Sequence, residues 1–118
     1  MDSTKYDVVA FGAHPDDLEH AMGGTLIKMK RDGMRVLLVH ATRGDGGTHG
    51  SAELRMKEAR AAAEKLGMDA HFLDFEDMNI RDTQDSRKAV AEVIRRARPH
   101  IVFAPYYDYP HMHPDHEE

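Results

Sequence analysis

The sequence predicts an α/β fold with a mainly parallel sheet, its elements in the order β-α-β-α-β-α-β. Three observations carry that expectation. Short apolar runs alternate with stretches of helical periodicity, the connections between them are brief, and each notable polar cluster falls just after a strand. Strands joined through helices pair in parallel by right-handed crossovers.

Residues 7–11 (Asp-Val-Val-Ala-Phe) form an apolar run closed by Gly12 and read as a buried strand. A helix follows over residues 19–31, where Ala21, Met22, Leu26, Ile27 and Met29 keep an approximately helical spacing and Asp32-Gly33 supplies the stop. Gly23-Gly24 is a poor choice inside a helix, so close packing or a delayed helix start is expected there. Residues 34–42 form the second strand, and their near-continuous apolar centre suggests burial on both faces.

The glycine-rich stretch 43–50 reads as a loop. Ser51 can cap a second helix whose stripe of Leu54, Ala59, Ala62, Ala63 and Leu66 ends at Gly67. A third strand spans residues 70–75. Thr83 or Asp85 caps a third helix through residue 98, with Ala89, Val90, Val93, Ile94 and Ala97 turned inward, and Pro99 stops it. Residues 100–104 are the fourth strand, and loop follows from Pro105. The result is a Rossmann-like three-layer sandwich.

At 118 residues one domain is expected, covering 1–118. A net charge of −5 without any Lys/Arg run argues against a nucleic-acid partner, which needs a basic face. With no cysteine in the chain, disulfides and thiolate metal sites are excluded. There is neither a signal-peptide pattern nor an apolar segment near the ~20 residues that span a bilayer, so the expectation is a cytoplasmic protein without membrane contact.

Nine histidines stand out, three of them at positions 111, 113 and 116. Met, Pro and Asp separate these three, unlike the continuous run of a purification tag. Structural or surface roles are expected for His20, His40, His71 and His100; His49 stays open between substrate contact and simple solvation, and His111 between substrate contact, an adventitious metal ligand and neither.

The chemistry concentrates after the first and fourth strands. Asp16-Asp17 alone reads equally well as a helix-capping pair, because carboxylates favour a helix N-terminus. His14 changes the weighting: an imidazole and the Asp17 carboxylate on one tight turn can converge on a single ion, and zinc accepts both ligand types. His113-Pro114-Asp115-His116 is by itself a weak His-x-x-His signal. A doubly wound order sets the fourth strand beside the first, so His116 can complete a His/Asp/His set with an open coordination position, the catalytic arrangement for zinc. Iron(II) suits the same donors. A receiver-like domain using Asp16-Asp17 for magnesium shares the element order but leaves the histidines unexplained.

His14-Pro15-Asp16-Asp17, Thr42-Arg43-Gly44-Asp45, the helix start Glu53-Leu54-Arg55 with Glu58-Ala59, and His113-Pro114-Asp115-His116 form an ordered set over nearly the whole chain. That set resembles the PIG-L/LmbE-like N-acetylglucosaminyl deacetylases, and within them the bacterial branch of bacillithiol- and mycothiol-pathway enzymes. The resemblance implies zinc ligation by His14, Asp17 and His116, with Asp16 as general base. It implies that His113 stabilises the oxyanion or protonates the leaving amine, that Asp115 orients His113, that Arg55 lies near the sugar, and that Glu19 gives outer support. The implied reaction hydrolyses the N-acetyl amide of an N-acetylglucosamine-type substrate to a free amine and acetate.

The resemblance also implies that this is the N-terminal portion of a longer fold, since family members continue well beyond His116. The alternative is a truncated metal-binding half-domain without useful catalysis. A sheet edge left uncovered after the fourth strand invites self-association, so a homo-oligomer is expected.

Overall fold

The computed structural model of the chain describes residues 4–13, 17–42, 52–75 and 81–105. Seven elements follow one another: β1 (Val8–Gly12), α1 (Asp17–Arg31), β2 (Val36–Thr42), α2 (Ala52–Lys65), β3 (Asp69–Phe75), α3 (Gln84–Ala97) and β4 (Ile101–Phe103). The strands pair in parallel in the order β3-β2-β1-β4. The expected element order and the parallel sheet are both present.

Alternation along the strands sorts the core into two faces. Val8 and Ala10 of β1, with Val36 and Leu38 of β2, pack against Leu18 and Leu26 of α1 and Ala63 of α2. Val9 of β1, with Leu37 and Val39 of β2, packs against Val93 and Ala97 of α3. Two helices therefore cover one face and one covers the other, giving the three-layer α/β/α sandwich. Running from β1 to β2 to β3 and then back past β1 to β4, the chain reverses direction across the sheet between β1 and β4.

Local chemistry explains most boundaries. Before β2, Met34 N–H donates to the Met29 carbonyl (3.1 Å) and Arg35 N–H to Asp7 Oδ2 (2.8 Å). These two residues thus close the turn after α1, and the strand starts later than expected. Thr83 is the N-cap of α3, where it accepts from Ser86 N–H while Ser86 Oγ accepts from Thr83 N–H, a reciprocal capping box. Arg98 ends α3 in the left-handed region at φ 51°, and its N–H donates to Ile94 O.

Two expectations about packing are corrected. Leu54 does not join the inward stripe of α2 and is 47 % exposed. It lies five residues before buried Ala59, off the line of Ala59, Ala63 and half-buried Leu66 at the helical period. Neither close packing nor a late start explains Gly23-Gly24. A Cβ at either position would meet nothing within 4 Å, and α1 begins at Asp17, earlier than expected. The helix instead breaks at Met22 (φ −151°, ψ 27°), next to the pair that least favours a continuous helix. Gly24 has open space and no positive φ. Gly24→Ala is therefore expected to stabilise the protein by about 0.5–1 kcal/mol, read as a rise in unfolding midpoint.

Candidate functional site

In an open parallel sheet the ligand crevice lies beyond the carboxyl ends of the strands at the point where strand order reverses. Here that point is the junction of β1 and β4, which pair through Val8↔Ile101, Val9↔Val102 and Ala10↔Phe103. The adjacency on which the expected His/Asp/His set depends is present. Chain leaving β1 and chain leaving β4 depart from neighbouring positions on one edge.

The end of β2 holds the chain that leaves β1. Gly12 is in register with His40, and both Thr42 N–H (3.1 Å) and Thr42 Oγ1 (2.9 Å) donate to the Ala13 carbonyl. Two donors on one carbonyl satisfy both its lone pairs and fix the last described residue before the expected metal turn. Asp17 then opens α1, so the N-terminal end of that helix lies at this edge.

Arg55 stands in the first turn of α2, and that helix starts at the same edge because β2 ends there. It lies four and eight residues before buried Ala59 and Ala63, on the side of the helix turned to the sheet, and is itself half-buried. His14, Asp16, His113, Asp115 and His116 lie outside the described residues, as do Ser51, His49 and His111. Among the described residues no group of three or more His, Asp or Glu side chains could hold a metal.

Of the four histidines expected in structural or surface roles, three have described side chains. His100 is exposed, 3.5 Å from Lys5 Nζ. His71 is half-buried on β3, away from the crevice, in a groove of about 310 Å³ formed with Leu73, Ala89, Glu92, Val93 and Arg96. His40 is fully buried at the crevice end of β2, with its ring 5.0 Å from that of Phe72. Sequence reasoning missed its position. The signal available was its place two residues before Thr42 on a strand otherwise apolar at its centre.

Burial, and then nearby positive charge including Arg60, holds the His71 pKa below its ordinary 6.5. The neutral form is thus favoured in the folded protein, and the unfolded chain takes up this proton first as pH falls. The stability contributed here is full above about pH 6.5 and declines below it until the folded-state pKa is reached. Urea unfolding at pH 7.5 and 5.5 is expected to show a smaller acid loss in His71→Gln than in wild type.

A three-layer α/β/α domain with a crevice at a strand-order reversal is a ligand-binding scaffold shared by many enzyme families. The chain belongs to the PIG-L family, described as GlcNAc-PI de-N-acetylase, whose family model matches residues 9–118. It is 37 % identical to diacetylchitobiose deacetylase of Thermococcus kodakarensis, over 92 % of this chain and 44 % of that protein. The crystal structure of N,N'-diacetylchitobiose deacetylase from Pyrococcus horikoshii superposes with a TM-score of 0.80 at 34 % identity, over 92 % of this chain and 44 % of that one. A more distant relative, 4-oxalmesaconate hydratase of Pseudomonas putida, is 29 % identical over 93 % of this chain and 50 % of its own. The chain thus spans about half the length of the curated relatives it matches. No helix among the described residues is long and apolar enough to cross a membrane.

Proposed function

We propose that the chain carries the metal-binding half of a zinc-dependent deacetylase that releases acetate from an N-acetylated amino sugar. The observation that carries this reading is the pairing of β1 with β4, the two strands that precede the two histidine motifs in the sequence, on one sheet edge. Family membership and the likeness to two diacetylchitobiose deacetylases support the substrate class.

The donor set fits a metal of this kind. Two imidazoles, from His14 and His116, and the Asp17 carboxylate suit zinc or iron(II), and a chain without cysteine offers no competing thiolate. Such an ion, when bound, lowers the pKa of a coordinated water to about 7 and polarises the amide carbonyl. Asp16, next to a ligand in sequence but outside the ligand set, takes the proton of the attacking water. His113, oriented by Asp115, stabilises the oxyanion and then gives a proton to the departing amine. Glu19 supports the ligands from outside.

Arg55 binds a sugar hydroxyl or carbonyl at the start of α2. Losing a hydrogen bond from a charged donor costs about 1.5–3 kcal/mol, so Arg55→Ala is expected to lower kcat/KM by roughly 10–100-fold, mostly through KM.

In this reading residues 1–118 act as one metal-binding domain, in a cytoplasmic homo-oligomer that engages neither nucleic acid nor membrane. The 4-oxalmesaconate hydratase relative shows that the fold also serves another reaction, so activity has to be measured on this chain. The test is acetate release from N,N'-diacetylchitobiose by protein stripped with chelator and reloaded with zinc or iron(II). Turnover that returns with metal and is lost in His14→Ala supports the proposal. Metal uptake without turnover would leave a metal-binding half-domain, the alternative reading.

A further inference from the structure

We infer that His40 is a positioning residue for the connection between β1 and α1, and through it for the metal; the second part rests on the functional reading above. Among the described residues only two polar side chains are fully buried, His40 and Thr42, and they stand two apart at the end of β2. Elsewhere β2 fills such positions with Val and Leu. An apolar side chain would fill position 40 without the cost of desolvating an imidazole. Neither residue lacks a partner. Thr42 spends its polarity on the Ala13 carbonyl, clamping the chain that leaves β1.

His40 stands one strand over from the same point. Its register partner is Gly12, the last residue of β1. Both belong to the sheet face under α1 and α2, because Val8↔Val36 and Ala10↔Leu38 precede them in register and pack into that layer. Gly12 has no side chain, so nothing on β1 screens the imidazole from the backbone beside it. On the outer side the ring rests on Phe72 (5.0 Å, 32° between planes), and Phe72 in turn lies 5.0 Å from the Arg60 guanidinium of α2. This stack fixes the ring from the side away from β1. The imidazole is thus held one strand over from the point where β1 ends, on the sheet face that α1 and α2 cover.

Outer groups of this kind orient metal ligands, and their loss weakens metal binding by about 10–100-fold. His40→Phe keeps the aromatic volume and removes the ring nitrogens. Its unfolding midpoint is expected to stay close to wild type. In metal-free protein, amide hydrogen exchange over residues 13–20 is expected to speed up severalfold, with α3 unchanged as the internal control. Zinc affinity, measured by competition with a chelator, is expected to fall about 10–100-fold.

Asn can set an amide where Nδ1 lies and Gln where Nε2 lies, so one of His40→Asn and His40→Gln is expected to restore slow exchange. Phe72→Leu removes the stack but keeps the imidazole, and is expected to loosen the same amides by less. Unchanged exchange over residues 13–20, in whichever of His40→Phe and Phe72→Leu folds, overturns the proposal. A wild type that takes up no zinc overturns the functional reading instead, and exchange in the metal-free protein still decides the role of His40.

Discussion

Asp16→Asn is expected to retain the metal and to lower kcat for acetate release by about 10²–10⁴-fold, the usual contribution of a positioned general base. Asparagine keeps the size and shape of the side chain but has no basic oxygen to take a proton. The neighbouring Asp17 keeps its own carboxylate, so the proposed His14, Asp17 and His116 donor set is untouched. Metal content by elemental analysis should match wild type. His14→Ala, by contrast, is expected to lose metal and turnover together. The two variants therefore separate a ligand from a base within one four-residue motif. An Asp16→Asn protein that turns over at the wild-type rate would remove Asp16 from the chemistry and shift the search for the base elsewhere.

The pH profile sharpens that test. A general base acts only when deprotonated, so the acid limb it gives to kcat/KM should disappear from whatever activity Asp16→Asn keeps. His71 lines a groove against α3, away from the crevice, and is expected to affect stability rather than turnover. Following activity and unfolding over the same pH range keeps the two contributions apart.

Much of this architecture was legible because its signals are local. The runs around Val8–Gly12 and Val36–Thr42 are apolar at consecutive positions, the mark of a strand covered on both faces, and both are buried nearly throughout. Thr83 is a capping residue at the right distance from an amphipathic stretch, and it caps α3. What the sequence read poorly depends on phase or on partners far along the chain. Leu54 is apolar but out of step with Ala59 and Ala63, and counting apolar residues without their angular position drew it into the stripe. His40 resembles any histidine near a strand end until the β1–β2 register sets it against Gly12, 28 residues earlier in the chain. The candidate site divides in the same way. Its motifs are readable as strings, while the adjacency of the strands they follow depends on β4 crossing to the other side of β1, which no single motif encodes.

The unequal cover of the two faces makes the second large prediction, and it compares neighbours in one strand. Leu37 and Leu38 are buried to the same degree, 2 % and 3 % exposed, and point to opposite faces of β2. Leu38 sits beneath α1 and α2 among Ala10, Leu26 and Ala63. Leu37 faces the single helix α3 and borders an open cavity of about 450 Å³, lined also by Tyr6, Met68, Asp69 and His71 and by Arg60 and Glu64 of α2. Truncating a buried leucine to alanine removes its transfer energy and adds a penalty for the void, about 2–5 kcal/mol in all. The penalty is largest where the walls cannot relax and smallest where the void opens to water or to a mobile rim. Leu38→Ala is therefore expected near the top of that range and Leu37→Ala near the bottom, a gap of about 1–2 kcal/mol by denaturant titration. Equal losses would mean that the α3 face is sealed in solution as tightly as the other. That in turn would point to a covering element over the β3 half of the sheet, at the groove where His71 and Leu73 meet α3.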